Sequence, residues 1–132
     1  MDISGVAIAR NQKAFAHDPN YSFAQGDSAS AELPSSQLIV CRETLNHLKA
    51  DKAKAIIKNC MSSAQLYVAF TDNSTSTTNP PDADRKLKLK DSDEVYRYTE
   101  WNLALSPLSL PEPYARIPEI RGRFLNIYRV EK

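Results

Sequence analysis

The chain has 132 residues, 42% of them apolar and 25% charged, with a formal net charge of +1. That length suits one domain with its own core, and the composition is that of a globular protein rather than a disordered or fibrous one. The near-zero charge excludes the long-range field that draws a protein to nucleic acid or anionic membrane, and no apolar run approaches the ~20 residues of a spanning helix.

Residues 1–30 read as an N-terminal arm or short helix, ahead of a single domain over 31–132. The opening MDISGVAIAR has no basic start and no long apolar stretch, so no secretion signal is expected. Asp2 is a candidate cap for a short helix over Ile3 to Phe15. Asp18-Pro19-Asn20 would end that helix in a turn. Val6, Ile8, Phe15, Tyr21 and Phe23 are too few for a core, so the segment is either a mobile tail or an arm that needs another surface.

Gln37 to Arg42 is an apolar run of strand length, and Pro34 limits pairing before it. The next piece, Glu43 to Asn59, is ambiguous. It holds good helix formers, and a helix over that range is one reading. Lys49, Lys52, Lys54 and Lys58 fall around several faces, which favours a loop over 46–52 and then a strand. On that reading Ala55-Ile56-Ile57 and Leu66 to Phe70 form a central β-hairpin across the small, polar link Asn59 to Gln65. Alternation puts Leu66, Val68 and Phe70 on one face, and Tyr67 and Ala69 on the other.

Asp72 to Asp84 reads as a surface loop, with Pro80 and Pro81 blocking sheet pairing. Its Asn73-Ser74-Thr75 matches the glycosylation sequon, an idle match without a secretion signal. Lys86 to Lys90 alternates leucine and lysine, as a half-solvated strand does. Glu94 to Thr99 alternates again, with Trp101 following. Leu103 to Pro118 is a proline-stiffened apolar loop. Phe124 to Val130 is too apolar a strand to dangle.

Six short strands with turns between them predict an all-β fold: an antiparallel β-sandwich or small jelly-roll-like barrel with an N-terminal arm. Cys41 and Cys60 make no disulfide framework and read as reduced, packing thiols. No His or Cys spacing suits a metal, and no cofactor motif is present. The paired carboxylates Asp82 with Asp84 and Asp91 with Asp93 read as solvated turn residues. Cys60 with His47 lacks an orienting third group. No catalytic residue is identified, so no enzyme is expected.

The order Lys54-Ala55-Ile56-Ile57-Lys58-Asn59, then Leu66-Tyr67-Val68-Ala69-Phe70, then Leu87-Lys88-Leu89 with Asp93-Glu94-Val95-Tyr96, then Phe124 to Val130, resembles a group of small β-sandwich proteins of bacteriophage virions. The resemblance covers about the last two-thirds of the chain. It implies a non-enzymatic structural subunit, of the decoration, vertex or head-to-tail kind, made in the host cytoplasm and assembled into the virion. Its partners would be its own copies and other virion proteins, with no nucleic acid and no membrane. The N-terminal segment and the proline-rich loop lie outside that pattern. Val6, Ile8, Phe15, Tyr21, Phe23, Leu105, Leu108, Leu110 and Tyr114 are the residues expected at subunit contacts. The alternative is a carbohydrate- or peptide-binding module, with Trp101, Tyr96, Tyr98 and Tyr114 as an aromatic platform.

Overall fold

A computed structural model describes residues 1–73, 77–79, 86–88 and 95–131. Helix α1 spans Gly5–Ala14, followed by strand β1 (Ser36–Cys41), helix α2 (Ala50–Ser63) and strand β2 (Ala64–Asp72). Strands β3 (Lys86–Lys88) and β4 (Val95–Arg97) pair as a separate antiparallel ribbon. Strands β5 (Ala115–Pro118) and β6 (Phe124–Arg129) complete the main sheet, whose order is β1-β2-β6-β5.

The main sheet is mixed. Strand β1 runs parallel to β2, with Ile39 opposite Val68 and Cys41 opposite Phe70. Strand β6 runs antiparallel to both β2 and β5. A parallel pair needs a crossover, and α2 supplies it. The fold is therefore α/β, which overturns the all-β sandwich expected from the sequence.

The error lies in residues 50–63, where the expected hairpin's first strand is helical. Ala53, Ile56, Ile57 and Cys60 are all buried, and their spacing of three, four and seven is one helical face. Lys52, Lys54 and Lys58 are exposed, so the lysines do not interrupt that face. The helix passes into β2 without a loop, and the amide of Ala64 still bonds the Cys60 carbonyl.

The core lies between α2 and one face of the sheet. Val68, Phe70 and Tyr128 meet Ile56, Ile57 and Cys60 there, joined by Leu45, Trp101 and Leu103. Leu66 shares the strand parity of Val68 and Phe70 but is 49% exposed, while Ala69 on the opposite face is 2% exposed. Alternation thus assigns the two faces and does not by itself fix burial at these two positions. On the second face Leu38, Val40 and Ile117 are each about half exposed.

The N-terminal segment is fastened at several points. Ser4, rather than Asp2, caps α1, accepting the Ala7 amide, while the Asp2 carboxylate accepts the Ser4 amide. Asp2 also pairs by its backbone with the chain around Gln25. The Asn59 side chain donates to the carbonyls of Ser28 (2.9 Å) and Ala31 (2.8 Å), and Lys52 pairs with Asp27 at 2.8 Å. Asn59→Ala removes both donors and is expected to cost about 1–2 kcal/mol. Hydrogen exchange should then rise at the Ser30 and Ala31 amides and stay unchanged along β2.

Candidate functional site

The candidate site forms where the parallel strands end. In open α/β sheets the carboxyl ends of parallel strands are where ligands bind, because the chain there leaves the sheet in loops. Strand β1 ends at Cys41, and two residues later Glu43 adopts φ 56°. A non-glycine residue in this left-handed region is strained, by the order of 1 kcal/mol or more, and persists only where its surroundings fix it.

Those surroundings are specific. The Glu43 amide donates to Thr71 Oγ1 at 3.1 Å, tying the turn to the end of β2. Arg123 Nη1 lies 2.6 Å from both carboxylate oxygens of Glu43, and Nη2 donates to the Tyr98 hydroxyl. Asn46 Nδ2 adds a 3.3 Å bond to Glu43 Oε2. Burial pulls the Arg123 guanidinium down, but its bonds to Glu43 and Tyr98 outweigh that and hold it above the ordinary arginine value. Next to this group Arg42 pairs with Glu119 at 2.8 Å.

Two cavities flank the Glu43 turn. The larger, about 290 Å³, is walled by Asp2, Asp27, Glu43, Thr44, His47, Lys52 and neighbours. On that wall Asp27 is paired with Lys52 and Glu43 with Arg123, which leaves Asp2 as the carboxylate without an ion pair among the described residues. The smaller, about 20 Å³, is walled by Asn46, Thr71, Asp72, Tyr98, Thr99, Trp101, Arg123 and neighbours. Asp72 ends β2 and is only 3% exposed. Burial pushes its carboxyl up to about 6, against bonds from the Leu103 amide and Asn126 and the attraction of Arg116.

No family model and no curated protein matches the chain. A solved structure it resembles is the magnesium protoporphyrin IX methyltransferase of Synechocystis with bound S-adenosylmethionine, at 15% identity and a TM-score of 0.46. The match covers 74% of this chain and 54% of that one, so the chain spans about half the length of the neighbour. This neighbour is a methyltransferase. The mixed sheet and its helical crossover overturn the resemblance to β-sandwich virion proteins and the assignment to capsid decoration that rested on it. The expectation of a chain outside enzyme chemistry falls with that resemblance. That expectation rested on finding no catalytic motif, and the groups described above come together only in the fold.

The residues expected at subunit contacts are dispersed. Phe15, Tyr21 and Phe23 form a cluster, with ring centroids 4.8 to 6.4 Å apart. Val6 is 82% exposed, whereas Ile8 is buried. Leu108 and Leu110 pack against the core, and Leu105 is half-buried. Tyr114 is exposed and rests on Tyr67. The aromatic platform is not assembled from the described members, since Trp101 is buried and Tyr98 bonds Arg123. The Tyr96 side chain, the alternation through Leu89, and Asp82, Asp84, Asp91 and Asp93 lie outside the described residues.

Cys41 and Cys60 are buried and unbridged. The His47 ring lies edge-on against Tyr98, and the two thiols meet each other. Their mutual hydrogen bond draws the Cys41 thiol down against the effect of burial, while the same bond and burial push Cys60 up. Among the described residues no three His, Cys, Asp or Glu side chains converge as metal ligands. Sequence reasoning missed Glu43, Arg123 and Asp72. The available signal was an apolar strand, a short polar turn and an amphipathic helix in succession, the pattern of a βα unit.

Proposed function

We propose that this chain forms the carboxyl-edge ligand site of an α/β enzyme, holding a small polar molecule with a positive charge or several hydrogen-bond donors. The observation that carries the reading is the 290 Å³ cleft at the end of β1, whose wall holds Asp2 beside the Asp27–Lys52 pair and the Arg123-bound Glu43. A left-handed Glu43, clamped by Arg123, fixes one side of that cleft before any ligand arrives. Preorganisation of this kind favours binding because the ordering cost is met during folding.

S-adenosylmethionine, the molecule bound in the solved neighbour, is the first probe because it carries a sulfonium and an amino group. S-adenosylhomocysteine, which lacks the sulfonium charge, is its control. Calorimetric titration is expected to show saturable binding of the charged compound and weaker binding of the control. Asp2→Asn keeps an oxygen for the Ser4 amide but removes a charge, and should weaken the charged compound several-fold, by about 1 kcal/mol. If neither compound binds at millimolar concentration, or if the two bind equally and Asp2→Asn changes nothing, the reading is wrong. Methyl transfer is the activity named for the neighbour; for this chain it becomes testable once binding is shown.

A further inference from the structure

We propose that Asp72 is a proton-carrying group of the folded protein, held as the neutral acid beside Asn126 in mildly acidic solution, and that its ionisation reverses the hydrogen-bonding sense of the small cavity it walls. This inference does not depend on the ligand cleft.

The geometry leaves two buried acceptors unmet. Asp72 is 3% exposed and Asn126 is 1% exposed. Asn126 Nδ2 donates to Asp72 Oδ2 in a short bond, and the Leu103 amide also bonds the carboxyl. Asp72 Oδ1 and Asn126 Oδ1 are both buried and have no partner among the described residues. A carboxylate offers acceptors only. A neutral acid brings one O–H, which supplies a donor and removes a buried charge at the same time.

The charged neighbours do not remove that need. Arg116 on β5 attracts the carboxyl, but its side chain is 41% exposed and lies 3.6 Å from Glu112. Arg123 walls the same cavity and is committed to Glu43 and Tyr98. Glu100, also on that wall, is an anion and adds no compensation. Tyr128 on β6 is pushed up to about 12, first by burial, so it stays a neutral phenol. Burial therefore dominates, and it is what moves Asp72 up to about 6.

The cavity of about 20 Å³ has room for one water. Asn46 Oδ1, also on its wall, is a second buried acceptor without a partner. With Asp72 neutral, the wall can present a donor. With Asp72 ionised, it presents acceptors at both positions, and the water must donate to each.

The linkage has a definite sign. Asp72 is raised from 3.8 to about 6 on folding. Below the unfolded value both states carry the proton, and the favourable contribution is fully present. It is lost as pH rises through about 6, with a change of about a hundredfold in the folding equilibrium constant across the window.

The test is ¹³C NMR of aspartate labelled at the side-chain carboxyl, with Asp72→Asn used for assignment. A resonance titrating near pH 6 that vanishes in Asp72→Asn supports the proposal. Titration of the Asp72 carboxyl near pH 4 overturns it. Urea unfolding at pH 4 to 8 provides a second readout. The wild type should lose stability relative to Asp72→Asn as pH rises, and parallel profiles would overturn the idea. If Asp72→Asn does not fold, substituting each other aspartate in turn assigns the wild-type resonance by elimination, and its titration decides.

Discussion

Trp101→Ala lowers the unfolding free energy by about 3–5 kcal/mol, and the melting temperature by about 10–20 °C. Trp101 is 2% exposed, and it joins the core together with Leu45 and Leu103. Its indole Nε1 donates to the Leu45 carbonyl at 2.9 Å, and its own carbonyl accepts the Asn73 amide at 2.9 Å. Truncation leaves a large void and takes one of two donors from the Leu45 carbonyl, which keeps the Leu48 amide. Trp101→Phe keeps most of the volume and loses only the donor, so its cost should be about 1–2 kcal/mol. Trp101 is the sole tryptophan, so unfolding of the variants is followed by circular dichroism in urea. A loss below about 1 kcal/mol in Trp101→Ala would remove Trp101 from the core.

Val68→Asp and Leu66→Asp should differ by several kcal/mol, although the two residues stand on the same side of one strand. Val68 is fully buried on β2, between its partners Ile39 and Tyr128. An aspartate there loses its hydration without gaining a partner. The cost exceeds about 4 kcal/mol, a large share of the stability of a domain this size. Leu66 is 49% exposed, so its replacement should cost about 1 kcal/mol or less. Melting the two variants side by side gives the comparison. Equal losses would mean that Leu66 is as deeply packed as Val68 and that the helical reading of residues 50–63 is wrong.

The strands of the main sheet were legible because their residues are. Gln37 to Cys41, Leu66 to Phe70 and Phe124 to Arg129 are dense in apolar side chains, and all three form strands. The direction of pairing was not legible, because it depends on whether the connection is a turn or a helix. A stripe of Ala53, Ile56, Ile57 and Cys60 is modest in hydrophobicity, and Lys52 and Lys54 bracket it. The adjacent Ile56-Ile57 pair looks the same in a strand as on a helical face. The site was less legible still. Glu43 and Arg123 are 80 residues apart, so no local spacing links them. Asp72 looked like the first residue of a polar loop, and only the completed sheet shows it buried against Asn126. Leu103, read as the start of a proline-stiffened apolar loop, is fully buried, and Asn79 fixes the turn after it by bonding the carbonyls of Asn102 and Leu105.

The two outer strands of the main sheet have different prospects in concentrated solution. Strand β5 ends in Pro118, which withholds a backbone donor from any newcomer. Strand β1, SQLIVC, has neither proline nor lysine along its length, and its outward Leu38 and Val40 are half exposed. Such an edge is a template onto which another extended chain can add. The net charge of +1 supplies little colloidal repulsion to keep copies apart. Shelf life and yield at high concentration should therefore be governed by six residues at one margin of the sheet, and a single charge placed at Val40 would extend both without entering the core.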